Sequence, residues 1–346
     1  MLQKQIIVKT EIHVKLYSTV LVWFVLDHEV NRRLDKLHRK VLKMPVDLKR
    51  INGPEGSVPY QIFSKNRDKT FEERLAEVFN SSGRRKCDRK KSESRKYFMK
   101  LGVVSTAKGS AYLELGNTKV IVSVFDPREI PKQNKFSELG VLYCDFKFSP
   151  FACTHRKNPQ TDAEERSLAA ALTKALQPVV CRHLFPNFQI DIFANVLEDD
   201  GSVLGAVITA AGLALSDATI SMFDIVTAST VAVFGDNIYL DPTLDEQKIC
   251  LEGGKNGNHG IITMAKLHTL DQISEMRQIG NITQETLMNA CKRLNEANND
   301  VAPVVQQMLI GKVQRHLSEI DLDDDDEKDG ATEDLNKSVI SVDSQS

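Results

Sequence analysis

Few side chains in this chain of 346 residues stand at spacings that perform chemistry. The six cysteines (Cys87, Cys144, Cys153, Cys181, Cys250 and Cys291) form no C-x-x-C pair and no Cys/His ligand pattern. They read as thiols of a reducing compartment, not as a disulfide frame or a zinc site. His155, His183, His259 and His268 are dispersed through the central body, where a packing or surface role is the default. No G-x-x-x-x-G-K-[ST], H-E-x-x-H or Ser-His-Asp order occurs. Gly253-Gly254-Lys255-Asn256-Gly257 lacks the Ser/Thr and the preceding strand of a phosphate cradle and reads as a surface loop. The densest chemistry is electrostatic: residues 84–100 hold nine Lys/Arg against two acids, Asp88 and Glu93. Such a block serves as a solvated arm, a nuclear-import address or a contact to a phosphate backbone, and the sequence leaves all three open. No aromatic residue joins it until Tyr97-Phe98, so base stacking there has little support.

The whole chain is 41% hydrophobic and 27% charged, which excludes a wholly disordered, collagenous or multi-span membrane protein. Its net charge of -2 hides strong segregation. Residues 1–43 carry an apolar run, Leu16 to Leu26, behind Lys4, Lys9 and Lys15. The run is shorter than the roughly 20 residues a membrane span needs. It matches a signal peptide in outline, but charged Asp27 and Glu29 stand where a small-residue cleavage site belongs. Met44-Pro45-Val46-Asp47 looks like a natural start, which makes 1–43 a doubtful extension, from the gene model or as a dispensable arm, and 44–96 an N-terminal arm ending in the basic block. Residues 97–316 form the folded body. Residues 317–346, with Asp323-Asp324-Asp325-Asp326-Glu327, read as a disordered acidic tail.

Within the body, periodicity assigns the elements. Ser110–Phe125 alternates around Gly116-Asn117 as a tight hairpin. Val141–Phe148 and Phe188–Leu197 read as strands. Between them Thr161 and Glu164 supply a capping box for a helix whose apolar face is Leu168, Ala171, Leu172, Ala175, Leu176 and Val179. Val203–Ala218 is apolar on nearly every side, which predicts a helix buried all round. Val226–Phe234 and Ile238–Leu240 pair across a turn, and Ile261–Leu267 pairs with Ile273–Ile279. Thr283 opens a helix and Asp300 caps a last one. The fold class is α/β (α+β), two similar βαβα-type halves with mixed sheets and covering helices.

These segments carry a resemblance. Gly102–Val120 with its Ser110-Ala111-Tyr112-Leu113-Glu114 core, Leu142-Tyr143-Cys144-Asp145-Phe146, Glu164-Glu165-Arg166-Ser167-Leu168-Ala169, Val196–Ser202 and Leu240-Asp241-Pro242-Thr243 together resemble the RNase PH family, in register over about 97–310. Among its members the chain is most similar to ring subunits of the eukaryotic RNA exosome. The resemblance implies a subunit of a six-membered hetero-oligomeric ring. Its implied partners are other RNase PH-like ring subunits, cap proteins, a separate catalytic nuclease and single-stranded RNA, with no membrane. It also implies residence in nucleus, nucleolus and cytoplasm, and a part in RNA processing and degradation, rRNA included.

Active members of that family release nucleoside diphosphates from RNA 3′ ends, inorganic phosphate being the attacking group. That chemistry needs cations for phosphate and carboxylates for a divalent metal or general acid. The resemblance puts the family's phosphate-binding Thr and Arg at Val203 and Leu204. It puts the two metal-site aspartates at Asp241 and Gln247, with Asp245 and Glu246 close by, and the RNA-holding arginine pair at Ala163 and Glu164. The expectation is therefore a non-catalytic subunit with no cofactor and no metal, the alternative being an active phosphate-dependent 3′–5′ exoribonuclease. RNA contacts are then expected from loop cations, Lys132, Lys135, Arg156 and Lys157.

Overall fold

A computed structural model describes residues 70–79, 85, 89–130, 136–154, 156–252 and 257–340, the last of these by backbone alone from 318. The readings made for 1–43, and for the arm as far as 69, lie outside the described residues. Helix α1 (Phe71–Val78) starts at a capping box in which Thr70 Oγ1 accepts from Glu73 N at 3.3 Å. Strands β1 (Tyr97–Leu101), β2 (Gly109–Leu115), β3 (Thr118–Val124), β4 (Arg128–Glu129), β5 (Val141–Phe148) and β6 (Phe188–Glu198) build one sheet. Helix α2 (Ala163–Leu176) lies between β5 and β6 in sequence, and α3 (Val203–Asp217) follows β6. Strands β7 (Val226–Phe234) and β8 (Asn237–Leu240), helix α4 (Leu244–Glu252), strands β9 (His259–Leu267) and β10 (Gln272–Asn281), and helix α5 (Gln284–Ile340) complete the body.

The first sheet runs β1-β2-β3-β6, with β4 antiparallel and β5 parallel to β6. It is therefore mixed, as expected. The second sheet, β10-β9-β7-β8, is wholly antiparallel, because its neighbouring strands are joined by hairpins or run against one another rather than through a right-handed crossover. Alternation sets which face of the first sheet is inside. Ala111, Leu113 and Leu115 of β2 and Val120, Val122 and Val124 of β3 are buried, and the residues facing the other way are mostly not. Helix α3 is buried from Val203 to Leu215 and packs on β2, β3 and β7, so it forms the common core of the two halves. The helix approaches β2 closely enough that a Cβ at Gly109 would lie 2.3 Å from Ala218 N. Helix α2 packs on β5 and β10, and α5 packs on β7 and β9 through Leu294, Ala297, Val301 and Val305.

The structure corrects several expectations. Helix α2 is capped one residue later than the motif suggests, by Asp162 with Glu165, because the Glu165 carboxylate is buried and also accepts from Phe148 N at 3.0 Å. Asp300 caps nothing: α5 runs through it and through Pro303, since Val301, Ala302 and Val305 are all buried and their burial holds the helix across the missing N–H. The backbone then stays helical through the acidic run to Ile340, where composition reads as a disordered tail; no proline follows Pro303 to stop it. Helix α4 was not expected at all. It is opened by a third capping box, in which Thr243 N donates to Glu246 Oε2 at 3.0 Å.

The basic block differs most. Of its described arginines Arg85 and Arg95 are buried and Arg89 is partly so, because carboxylates and carbonyls of the second half face these side chains.

Candidate functional site

The turn Asp199-Asp200-Gly201-Ser202 delivers the chain from β6 into α3. Gly201 takes φ 84, and a Cβ there would meet Pro242 O at 2.6 Å. Ser202 follows at φ 57, and its hydroxyl donates to Pro242 O at 3.2 Å instead of capping the helix. The turn is thereby locked to the end of β8, where Asp241 is itself at φ 50. Two adjoining cavities result.

The larger cavity, about 330 Å³, opens beside the start of α3. Val203, Leu204, Gln247 and Glu164 all line it, so three groups of positions that are far apart in sequence converge here; Ala163, at the first residue of α2, does not reach it. Phe148, Leu168, Leu244, Leu251 and Ile279 make most of the remaining wall apolar. Two cations border it that sequence reasoning missed, Lys248 and Arg277, the latter donating to Ser167 Oγ at 3.0 Å. The signal for Lys248 was present: Leu244, Gln247, Lys248 and Leu251 are spaced as one face of a helix, and all four line the cavity. Asp199 also borders it; burial raises its pKa, partly offset by the bond from Gly201 N.

The smaller cavity, about 40 Å³, is lined by Asp241, Ser202, Ser92 and Ser94 among others. Asp241 is 4% exposed and fully engaged. Arg95 Nε and backbone N donate to its Oδ2 at 2.8 and 2.9 Å, and an Arg95 terminal nitrogen donates to Oδ1 at 2.7 Å. The same guanidinium donates to Asp200 O at 2.8 Å and Gly201 O at 3.1 Å, leaving it no free face. Arg89 approaches Oδ2 at 3.7 Å and donates to Asp241 O. Burial works against the Asp241 carboxylate, but the bonds and charge of Arg95 outweigh it and hold the pKa below its ordinary value.

The nearby carboxylates are placed elsewhere. Glu246 is buried, pairs with Arg85 Nε at 3.1 Å and caps its own helix, while Asp245 is exposed and borders neither cavity. Gln247 is neutral. These residues do not fit a divalent cation, and among the described residues no group of three or more His, Cys, Asp or Glu is close enough to hold one.

Of the loop cations expected to meet RNA, Lys132 and Lys135 lie outside the described residues. Arg156 is exposed, with no carboxylate partner among the described residues. Lys157 is engaged: Nζ lies 2.8 Å from Glu164 Oε2 and 4.9 Å from the Phe148 ring centroid. Burial opposes its charge, but Glu164 outweighs burial and its pKa is raised.

Comparison with known proteins follows from this geometry. The model of the 3′ exoribonuclease family (RNase PH), domain 1, matches residues 93–221. The human exosome complex component MTR3 is 33% identical over 289 residues, covering 79% of this chain and 97% of the human protein. An Arabidopsis thaliana exosome complex component, RRP41-like, is 36% identical over 217 residues, covering 63% of this chain and 80% of its own length. Among solved structures, the Archaeoglobus fulgidus exosome with RNA bound to the active site superposes with a TM-score of 0.58 at 19% identity, over 67% of this chain and 96% of that one. Rice (Oryza sativa) Rrp46 gives 0.56 at 19% identity, over 65% and 100%. Sequence and fold agree: the chain belongs to the RNase PH family of 3′ exoribonucleases.

Proposed function

We propose that this chain is a non-catalytic ring subunit of an RNA exosome. It completes a ring of RNase PH-like chains, lines the path of single-stranded RNA, and leaves cleavage to a separate nuclease. Its coverage of nearly all of human MTR3 supports the assembly. The RNA bound to the active site of the Archaeoglobus fulgidus exosome supports the substrate. The observation that carries the reading is the state of Asp241: its carboxylate is clamped by Arg95 and Arg89, while the adjoining cavity is lined by Val203, Leu204 and Gln247. Loss of one charge-assisted donor costs about 3–4 kcal/mol of transition-state stabilisation, and here the phosphate site and the second carboxylate are altered together. Lys248 and Arg277 border the cavity together with two carboxylates, Glu164, which is paired with Lys157, and Asp199, which accepts from Gly201 N.

The test is release of nucleoside diphosphate from single-stranded RNA by the purified full chain, with inorganic phosphate and magnesium. No release above background is expected. Phosphate-dependent release abolished by Asp241→Asn would establish the active-exoribonuclease reading instead. The proposed compartments, nucleus with nucleolus and cytoplasm, follow from the same assembly and are checked by imaging the tagged chain.

A further inference from the structure

The loop between β5 and α2 combines features that the degenerate cavity does not explain. Phe151 is 74% exposed at its tip. The ring is not on a loose segment: Ser149 N donates to Val196 O, Ala152 N to Ser149 O and Asp199 N to Ala152 O, at 2.9, 2.9 and 3.0 Å, and Lys157 N closes the loop on Pro150 O at 3.3 Å. An aromatic face is thus held out to water from a fixed base. Charges of both signs stand around it, the carboxylates of Asp162, Glu164 and Asp199 beside the cations of Lys147, Arg156 and Lys157. Arg156 is exposed without a carboxylate partner among the described residues, and Lys147 reaches Pro159 O from the same loop base. The acid at the start of α2, Glu164, is neutralised by Lys157. The elements flanking the loop border the 330 Å³ cavity through Phe148, Glu164 and Asp199.

We propose that this loop is a single-stranded RNA contact, in which Phe151 stacks on a nucleobase and Arg156 meets an adjoining phosphate. An exposed aromatic face and an exposed guanidinium carried by one short loop are what sequence-tolerant strand binding uses, since every base offers a π face and every linkage a charge. A protein partner would have to leave Arg156 solvated or supply an acid, whereas RNA satisfies both groups at once. The inference rests on the reading of this chain as part of an RNA path and adds to it the residue that grips the base.

Photocrosslinking of the full chain, with its co-purifying partners, to an oligouridine strand tests it, together with affinity by fluorescence anisotropy. The crosslinked peptide should contain Phe151. Phe151→Ala should weaken binding about tenfold, and Phe151→Trp should bind as the wild type does. Arg156→Ala should lower the slope of log affinity against log salt by about 0.7. Because Phe151 is exposed, circular dichroism of the variants should not change. Wild-type affinity in Phe151→Ala overturns this inference alone. So does loss of a co-purifying partner with RNA binding intact, which would make the ring a protein anchor. Failure of the wild-type assembly to bind the strand overturns the RNA-path reading beneath it as well.

Discussion

Two cationic segments of this chain look alike in sequence and have opposite fates. Arg85, Arg89 and Arg95 come from the densest basic block, yet all three meet carboxylates or carbonyls of the second half and two are buried. Lys147, at the end of β5, and Arg156 and Lys157, in the loop after it, are sparser; only Lys157 has an acid partner among the described residues, and Arg156 faces water. The number of like charges in a run says little about their availability to a ligand. What decides it is whether the fold brings acids opposite, and Asp241, Asp200 and Glu246 do so for the first segment. The retained Asp241 then has a structural duty: it ties 89–95 to the turn that starts α3.

Substitutions at the two segments should therefore separate. Arg95→Ala removes both guanidinium bonds to the buried Asp241 carboxylate, leaving it the residue 95 amide and Arg89 at 3.7 Å, and a loss of about 3–5 kcal/mol in urea denaturation is expected. Arg156→Ala, by contrast, should leave stability within about 0.5 kcal/mol, and an equal loss at both sites would break the comparison. Gly201→Ala should cost about 1–3 kcal/mol, measured by thermal unfolding, through its φ of 84 and the contact with Pro242 O.

Asp241 also sets a pH dependence. Its folded pKa lies below the ordinary 3.8, so its contribution is complete above that value and disappears as pH falls through the folded pKa. The stability difference between wild type and Asp241→Asn should be full at neutral pH and shrink in acid; a pH-independent difference would detach Arg95 from the effect. Lys157→Ala removes a half-solvated, salt-screened pair and should cost under about 1 kcal/mol.

Much of the fold was legible in the residues. Alternation placed β5 and β7 at their observed limits, and the all-round apolarity of Val203–Leu215 placed the core helix. Helix α4 was hidden because its buried face, Glu246, Ile249 and Cys250, includes a carboxylate that composition scores as surface. Asp300 and Pro303 look like a boundary because local chemistry cannot register the tertiary burial of Val301 and Val305. At the site, Val203, Leu204, Glu164 and Gln247 were legible one by one as residue types, but their meeting at one cavity was not. The Arg95–Asp241 clamp was not, because its partners stand 146 residues apart and their types alone suggest a solvated arm. Phe151 gave no signal for the same reason: exposure is a property of the fold.

The central claim is that the cavity beside α3 no longer holds orthophosphate. Titration calorimetry of the full chain with inorganic phosphate, in the presence of magnesium and a short RNA, tests it most directly. No saturable heat is predicted, and Lys248→Ala with Arg277→Ala should change nothing. One-to-one binding that those two substitutions abolish would contradict the account.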